Sequence, residues 1–317
     1  MRVLVTGAHG FVGRHLSAAL RARGHEVVAA EHAERATSFG EALPLDVGDA
    51  LAVRAALDLV RPDAVAHLAA QAFVPASLQD PGATFDVNAR GTLNVLDAAR
   101  GAASDGVRAR VLVVSSADVY GAQPSAAQPL AETTAPSPRN PYAASKAAAE
   151  ALALAYARSF GVDAVVVRSF NHIGPGQDQR FAVPAFALQI ARVARGGERV
   201  VRVGNLEAQR DFLDVRDVCA AYATLLEGGG DSGEIYNVSS GTATPMRAML
   251  RRLIEIAHVP VEVREDPARM RPSDVPVSVG DPAKLRAATG WTPHIPLAAA
   301  LRAVYDDALA RVEQENP

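Results

Sequence analysis

Two side chains whose types and spacing suit acid–base chemistry are Tyr142 and Lys146, which stand four residues apart. If the segment is helical, both lie on one face of the helix, one above the other. A phenol has an ordinary pKa of about 10, which makes it a weak acid–base catalyst at neutral pH. A neighbouring ammonium at an effective dielectric of about 20 contributes roughly 4 kcal/mol and would lower the phenol pKa by up to about three units. The alternative interpretation of this pair is a surface tyrosine whose ring packs on the aliphatic part of the lysine side chain.

The segment that carries this pair has the signals of a helix. Asn140 can cap its start, Pro141 suits the first helical position, and Gly161 marks its end. Tyr142 is therefore expected in the first turn, and Lys146 one turn later.

The beginning of the chain reads as a nucleotide-binding unit. An apolar strand over residues 3–5 runs into glycines at positions 7, 10 and 13, and a helical pattern follows as far as Gly24. Glycines at this spacing permit a tight turn, close approach of a pyrophosphate and close packing of the helix on the strand. This order of elements predicts a dinucleotide site.

The second predicted strand, residues 26–30, bears on the choice of coenzyme. It ends at Glu31, whose carboxylate can accept hydrogen bonds from the ribose hydroxyls of an adenosine. This favours NAD(H), because a 2′-phosphate would be repelled. His32 and Arg35 lie close enough in sequence to leave NADP(H) open.

Strands and helices continue to alternate through the first half of the chain. Alternation of this kind predicts an α/β fold with a doubly wound parallel sheet, that is, a Rossmann domain. We expect this domain over residues 1–168, with a segment at about 212–240 returning to it, and a smaller C-terminal α/β substrate-binding lobe over residues 169–317. The predicted strands are residues 43–46, 64–68, 111–114 and 164–168, and the predicted helices are residues 50–60 and 88–99.

Polar residues follow these strands at the edge where a parallel sheet places its ligands. Asp46 and Val47 could flank an adenine, although Asp46 could equally cap the following helix. Ser116 could donate to a substrate oxygen or occupy a turn. His67 reads as a satisfied core histidine and not as a catalyst.

Composition excludes several other classes of protein. No apolar run of the 317 residues approaches the ~20 needed to span a membrane, and the chain opens without a secretory pattern, so we expect a cytoplasmic protein. Cys219 is the only cysteine, which excludes an internal disulfide and predicts a buried small hydrophobe. The net charge of -3 and the absence of a basic run give no indication of nucleic acid. The eight histidines lack ligand-like spacing, so no metal is predicted.

Five motifs are distributed along the first half of the chain. They are Thr6-Gly-x-x-Gly-x-x-Gly13, Leu68-Ala-Ala70, Asn88-x-x-Gly-Thr92, Ser115-Ser116 through Tyr120-Gly121, and Tyr142-x-x-x-Lys146. Together they resemble the extended short-chain dehydrogenases/reductases that act on nucleotide sugars. The resemblance implies a catalytic set of Ser116, Tyr142 and Lys146, in which Lys146 also holds the nicotinamide ribose, and it implies that Asn88 orders the cofactor site.

The glycine loop, the strand ends and the resemblance together predict a site for NAD(H) or NADP(H). Its predicted residues are Gly7, His9, Gly10, Phe11, Val12, Gly13, Glu31, Asp46, Val47, Leu68, Ala69, Ala70, Asn88, Ser115, Tyr142 and Lys146.

Loops of the C-terminal half carry groups that could bind a sugar diphosphate. Residues 171–177 form a Gly/Pro-rich loop that begins with Asn171, and the family resemblance implies that Arg210 and Arg271 together clamp a diphosphate through paired donors. Trp291 is expected in the core. These segments most resemble the GDP-4-keto-6-deoxy-mannose reductases within the family and next the GDP-mannose 4,6-dehydratases. The resemblance implies a GDP-linked sugar and a homodimer that pairs helices near residues 88–99 and 142–160. The implied substrate contacts are Gln71, Ser116, Asn171, Arg180, Val203, Asn205, Arg210 and Arg271.

Asp118 bears on the choice of reaction. Both neighbouring enzyme types pass hydride between nicotinamide and C4 of the hexose, but a dehydratase also needs an acid–base group for C5 and C6. The dehydratases carry Glu at the place of Asp118, and a shortfall of about 1 Å can cost roughly a hundredfold in rate. We therefore expect a reductase. The alternatives are a GDP-mannose 4,6-dehydratase with Asp118 as its catalytic acid–base group, a nucleotide-sugar 4-epimerase, and a non-catalytic NAD-binding regulator.

Overall fold

The protein is built from two groups of strands and the helices that cover them. A computed structural model describes residues 1–32, 42–104, 106, 108–270 and 275–315. In chain order the described strands are Arg2–Thr6 (β1), Glu26–Glu31 (β2), Leu43–Pro44 (β3), Ala64–His67 (β4), Arg110–Ser116 (β5), Ala164–Ser169 (β6), Asn171–Ile173 (β7), Val200–Val203 (β8), Gln209–Asp214 (β9), Ile235–Val238 (β10), Ala243–Pro245 (β11), Glu262–Glu265 (β12) and Val277–Ser278 (β13). The described α-helices are Phe11–Ala22, Ala50–Val60, Val74–Gln79, Pro81–Phe85, Gly91–Ser104, Pro141–Phe160, Ala182–Ala194, Val215–Leu226, Met246–Ala257, Ala283–Thr289 and Leu297–Glu315.

Seven strands form one parallel sheet in the order β10-β6-β5-β4-β1-β2-β3. The middle strands are almost wholly buried and apolar, as expected of strands that are covered on both faces. Leu16 and Tyr222 pack on one face, from the helices Phe11–Ala22 and Val215–Leu226. Leu57 and Leu96 pack on the other, from the helices Ala50–Val60 and Gly91–Ser104. The predicted doubly wound Rossmann sheet is confirmed.

A second core lies in the C-terminal half. Strands β11, β9 and β13 pair with one another, β7 joins β9, and β12 pairs with β8. The helices Ala182–Ala194, Met246–Ala257 and Leu297–Glu315 bury their apolar faces together beside these strands. Between the segments of this lobe, the chain returns to the edge of the large sheet at β10. The division at residue 168 stays a prediction.

The helix Pro141–Phe160, named the Tyr142 helix below, has the predicted bounds because its end signals are local. The Asn140 side chain accepts the N–H of Ala143 at 2.8 Å, and Gly161 takes the left-handed conformation, with φ 67°. The helix predicted over residues 88–99 is different: a π-helical turn, Asp86–Arg90, precedes the helix Gly91–Ser104. Turns of this kind occur often at functional sites.

Two core predictions are confirmed. Cys219 is fully buried, and its thiol lies 3.8 Å from the carbonyl oxygen of Val12. Trp291 is buried, and its indole N–H donates to the carbonyl of Asp217 at 3.1 Å. Within the described ranges, no helix combines the length and the apolar character that crossing a membrane would require.

Candidate active site

The glycine loop forms a cradle that side chains would fill. Gly7 has φ 66°, and a Cβ there would lie 2.8 Å from the backbone nitrogen of Ala69. A Cβ on Gly13 would lie 2.3 Å from the carbonyl oxygen of Gly7. Gly10 then begins the helix Phe11–Ala22 without a side-chain cap. The first amides of this helix are therefore the donors for an anion, which fits the pyrophosphate of a dinucleotide.

Glu31 lies where β2 ends, beside this cradle. Its carboxylate is buried and accepts the backbone N–H of His9 at 3.0 Å and that of His32 at 3.1 Å. The negative charge is therefore held against the glycine loop, where the adenosine ribose of a coenzyme is expected. Arg35, the residue that left NADP(H) open, lies outside the described residues.

The structure distinguishes the two predicted roles of Asp46, which were a contact to adenine and a cap of the following helix. The cap of the helix Ala50–Val60 is Asp49, which accepts the N–H groups of Leu51 and Ala52. Asp46 is exposed and accepts the N–H of Gly48 at 2.8 Å, so it remains available to flank an adenine.

Val47 and the small residues after β4 pack closely around this side of the cradle. Val47 is buried, and a Cβ on Gly91 would lie 2.8 Å from its side chain. The backbone of Leu68, Ala69 and Ala70 continues from β4, and the N–H of Ala69 donates to the Thr6 hydroxyl at 3.2 Å.

His67 is a core histidine, as predicted. Its Nδ1 lies 2.9 Å from the Thr6 hydroxyl, and burial, assisted by the charge of Lys146, lowers the pKa of its imidazole to about 3. A ring that is neutral throughout the physiological range has no role as a proton carrier here.

Asn88 joins the loop after β4 to the Tyr142 helix. Its side-chain oxygen accepts the N–H of Gln71 at 2.8 Å, and its amide donates to the carbonyl of Gln71 and to the Ser145 hydroxyl at 3.0 and 2.9 Å. The Ser145 hydroxyl in turn donates to the carbonyl of Tyr142 at 2.8 Å. Asn88 therefore connects the loop after β4 to the Tyr142 helix through protein contacts, and its role at the cofactor stays a prediction.

The predicted reacting groups meet at the carboxyl end of β5. The Ser116 hydroxyl and the Asp118 carboxylate both lie close enough to the Tyr142 phenol to act on its pKa. The Ser116 hydroxyl also accepts the N–H of Asp118 at 3.1 Å. Lys146, one turn along the helix, donates from Nζ to the carbonyl of Val114 at 2.8 Å. The four residues that we predicted as catalytic lie together.

The predicted direction of the Tyr142 pKa is wrong. Burial raises the pKa of this phenol well above its ordinary value, the charge of Asp118 raises it further, and the hydrogen bond from Ser116 only partly opposes this. Desolvation of the buried phenolate is the largest cause of this rise. Burial also lowers the pKa of Lys146 to about 8, although the neighbouring Glu150 carboxylate acts in the opposite direction.

The side chains of two predicted ligand contacts, Ser115 and Gln71, are hydrogen-bonded to other groups of the protein. The Ser115 hydroxyl donates to Glu150 at 2.5 Å. The Gln71 side chain accepts the N–H of Phe73 at 2.5 Å and donates to the Thr84 hydroxyl at 3.1 Å.

Strand pairing places Asn171 and Arg210 on neighbouring strands of the C-terminal lobe. Asn171 is exposed at the start of β7 and pairs in register with Phe212, two residues beyond Arg210 on β9. Arg271 lies outside the described residues. A Cβ on Gly204 would lie 2.4 Å from the carbonyl oxygen of Arg269, and Gln209 donates to the carbonyl of Pro276 at 2.8 Å.

The other predicted substrate residues differ in their surroundings. Val203 is fully buried in the second core and its carbonyl accepts the N–H of Asp266, so it does not face a ligand. Asn205 is exposed, and its side chain accepts the N–H of Glu207. Arg180 is paired with Asp178 at 2.7 Å and lies over the ring of Phe73, with its guanidinium carbon 4.8 Å from the ring centroid.

Sequence reasoning missed two groups beside the catalytic set. Glu150 and Arg168 form a buried ion pair at 2.8 Å. The available signal was an acid four residues after Lys146, on the same face of the helix. Across the described ranges, no cluster of three or more His, Cys, Asp or Glu side chains is arranged to hold a metal ion.

Comparison with known proteins identifies the family. The model of the family described as GDP-mannose 4,6 dehydratase matches residues 4–304. The chain belongs to this family of extended short-chain dehydrogenases/reductases, as its motifs predicted.

Individual members of the family are similar to the chain over most of its length. The chain is 42% identical over 315 residues to a GDP-6-deoxy-D-mannose reductase of Pseudomonas aeruginosa, with 99% of each chain covered. It is 32% identical over 287 residues to a GDP-6-deoxy-D-talose 4-dehydrogenase of Aggregatibacter actinomycetemcomitans, with 90% of each covered. The solved structure of RMD from Pseudomonas aeruginosa complexed with NADPH superposes with a TM-score of 0.87 at 40% identity and covers 98% and 99% of the two chains.

Replacement of Gly13 by alanine tests the coenzyme cradle. The new Cβ would meet the backbone carbonyls of Gly7 and Ala8, which cannot rotate away. We expect Gly13→Ala to weaken NADH binding, measured by fluorescence titration, by roughly tenfold or more, which corresponds to about 1.4 kcal/mol. Gly82→Ala is the matched control, because the atom nearest to a Cβ there is a side-chain oxygen at 3.6 Å. Equal affinity in the two variants would contradict the cradle.

Proposed function

We propose that the protein reduces the C4 ketone of a GDP-4-keto-6-deoxy-hexose with NADH or NADPH and yields a GDP-6-deoxy-hexose of the GDP-rhamnose type. The observation that carries the proposal is the meeting of Ser116, Tyr142 and Lys146 at the end of β5. Its specificity is supported by near full-length similarity to a GDP-6-deoxy-D-mannose reductase.

The residues that would hold the coenzyme fit it. The open cradle of Gly7, Gly10 and Gly13 suits a pyrophosphate, and the Glu31 carboxylate faces the place of a ribose. Lys146 would hold the second ribose. The reduced nicotinamide, when bound, supplies the hydride.

Tyr142 serves as the proton donor in this proposal. Its raised pKa keeps the phenol protonated at neutral pH, which is the state that reduction of a ketone requires. The Ser116 hydroxyl would donate a hydrogen bond to the same substrate oxygen and so stabilise the developing alkoxide. Lys146, with a pKa of about 8, is largely cationic at neutral pH and favours the phenolate that remains after proton transfer.

The C-terminal lobe supplies the groups for the nucleotide diphosphate. Asn171 and Arg210 lie on adjacent strands, and the resemblance to the family adds Arg271 to them. Guanidinium groups are suited to a diphosphate because their paired donors match two phosphate oxygens.

Dehydration of GDP-mannose is the second candidate. Asp118 is exposed in the site, and its charge acts on Tyr142, so it has the placement of a further acid–base group. The family model is also that of the 4,6-dehydratases.

A direct assay tests the proposed reduction. GDP-4-keto-6-deoxy-mannose mixed with the protein and NADH or NADPH should consume the reduced coenzyme, and Tyr142→Phe should lower kcat by about 10²- to 10⁴-fold, the range typical of general acid catalysis. Tyr305→Phe is the control, since this tyrosine is buried in the second core. Absence of turnover with either coenzyme would disprove the proposed function, and turnover near the parent level in Tyr142→Phe would disprove the role of the phenol.

Replacement of Asp118 separates the two candidate reactions. For a reductase, Asp118→Asn should leave ketosugar reduction within about tenfold of the parent, because the reaction needs no second acid–base group. The Tyr142 pKa should fall in this variant, since the charge that raises it has been removed. If the parent instead produces ketosugar from GDP-mannose with no net use of coenzyme, and Asp118→Asn does not, the protein is a dehydratase.

Glu31 generates a prediction for coenzyme choice. A buried carboxylate beside the ribose should repel a 2′-phosphate, so kcat/KM should favour NADH over NADPH by roughly tenfold or more. Glu31→Gln should reduce this preference, whereas Glu26→Gln, at the exposed start of the same strand, should preserve it. A parent enzyme that prefers NADPH would contradict this account of the site.

We also propose a homodimer that pairs the helix Gly91–Ser104 and the Tyr142 helix between subunits. The side chain of Phe160 is 52% exposed at the end of the Tyr142 helix, with the guanidinium of Arg100 4.7 Å from its ring centroid. Light scattering after size exclusion should give twice the 33.1 kDa mass of one chain. Phe160→Asp should weaken the dimer, whereas Leu59→Asp, at an exposed leucine of another helix, should not. A monomeric parent would rule out this pairing.

A further inference from the structure

A buried carboxylate lies one helical turn beyond Lys146. Glu150 is on the Tyr142 helix, and Arg168 lies near the end of β6, the neighbour of β5 in the sheet. Arg168 donates to both oxygens of Glu150, from Nε at 3.0 Å and from Nη2 at 2.8 Å. The two side chains are only 3% and 4% exposed. Such a pair is held rigidly, because neither charge can turn to water.

The same carboxylate fixes the end of β5. Its Oε1 accepts the Ser115 hydroxyl at 2.5 Å. The residue before Ser115 is Val114, whose carbonyl accepts the Lys146 ammonium, and the residue after it is Ser116, whose hydroxyl lies close enough to Tyr142 to act on the phenol pKa. Glu150 is therefore hydrogen-bonded to Ser115, the residue between Val114, which binds Lys146, and Ser116, which lies beside Tyr142.

The contacts of Arg168 extend to the turn that carries Asp118. The guanidinium carbon of Arg168 lies 4.6 Å from the ring centroid of Tyr120, the last residue of the turn Ala117–Tyr120. The Tyr120 hydroxyl donates to the Asn237 side chain at 2.7 Å. Every member of this chain of contacts is buried, so a shift at Glu150 would be transmitted to the turn.

Stability alone gives little reason for this arrangement. Apolar residues of similar volume often replace a buried ion pair without loss of stability, because burial of both charges costs about as much as their attraction gains. A carboxylate at residue 150 does two things that an apolar side chain cannot. It accepts the Ser115 hydroxyl, and it places a negative charge one turn from Lys146.

We propose that Glu150 is a positioning residue of the active site. Held by Arg168, it fixes Ser115, and through Ser115 it holds the Val114 carbonyl against Lys146 and the Ser116 hydroxyl against Tyr142. It also maintains the ammonium form of Lys146. Only the kinetic part of the test below rests on the proposed reduction.

The protonation of Lys146 can be followed without any ligand. Lys146 and Lys284 are the only two lysines in the sequence, so Lys284→Arg leaves a single lysine whose Nζ can be titrated by NMR after selective labelling. The other titratable groups that act on or lie beside Lys146 are Glu150, one turn along its own helix, Tyr142, one turn before it, and the neutral His67 of β4. We expect the pKa of about 8 to fall in Glu150→Gln and to stay near that of the parent in Glu150→Asp, which keeps the charge. Glu255→Gln, at a surface ion pair, is the control and should cause no shift.

Kinetics then test the positioning itself. Ser115→Ala removes the hydrogen bond between Ser115 and Glu150 but leaves the Glu150–Arg168 ion pair. Glu150→Asp shortens the side chain that carries the carboxylate. We expect kcat to fall by roughly tenfold in each, with KM for the sugar and the coenzyme changed by less than about threefold, because displacement of a catalytic group affects the reacting step. Ser115→Ala should leave the Lys146 pKa unchanged.

The outcomes distinguish the two proposals. Parent levels of kcat in both Ser115→Ala and Glu150→Asp would overturn the positioning role, and an unmoved Lys146 pKa in folded Glu150→Gln would overturn the electrostatic part. If Glu150→Gln does not fold, Ser115→Ala and Glu150→Asp still decide the positioning role. A parent protein that titrates as expected but does not reduce the ketosugar would count against the proposed function alone.

Discussion

The contact on which the site depends is the hydrogen bond from the Lys146 ammonium to the Val114 carbonyl, 2.8 Å long. It attaches the Tyr142 helix to the carboxyl end of β5, the edge at which a parallel sheet binds its ligands. Tyr142 is then held beside Ser116 because four residues of helix bring it back to the same face. The glycine cradle at the end of β1 opens at the same edge, since β1 and β5 both flank β4 in one parallel sheet.

Burial of this contact decides the electrostatics of the site. An ammonium near a phenol would be expected to lower the phenol pKa, but both groups are removed from water, and desolvation opposes the charged form of each. The phenol therefore keeps its proton and the ammonium holds its proton less firmly, with a pKa of about 8. A site in this state is prepared to donate a proton. Glu150, held in place by its ion pair with Arg168, raises the Lys146 pKa and so limits the loss of charge at Lys146.

The features that could be predicted from the sequence are those with local signals. Asn140 and Gly161 set the ends of the Tyr142 helix through contacts within a few residues, and Gly7 and Gly13 read directly as a backbone turn. The catalytic set of Ser116, Tyr142 and Lys146 was predictable from the family resemblance of its motifs. The direction of the Tyr142 pKa shift depends on burial by segments that are distant in sequence, and the spacing of Tyr142 and Lys146 does not reveal that burial. The Glu150–Arg168 pair joins residues of two elements that only the fold brings together, and the burial of Val203 in the second core likewise depends on segments distant in sequence.

The central claim is that the Tyr142 phenol protonates an oxygen at C4 while hydride arrives at that carbon. The most direct measurement uses NADH or NADPH that carries deuterium on one face of the nicotinamide C4, with GDP-4-keto-6-deoxy-mannose as the acceptor and the product examined by NMR and mass spectrometry. The account predicts one deuterium, located at C4 of the product hexose, from one of the two labelled forms of the coenzyme. Deuterium at any other carbon, or a product without deuterium from either form, would contradict it.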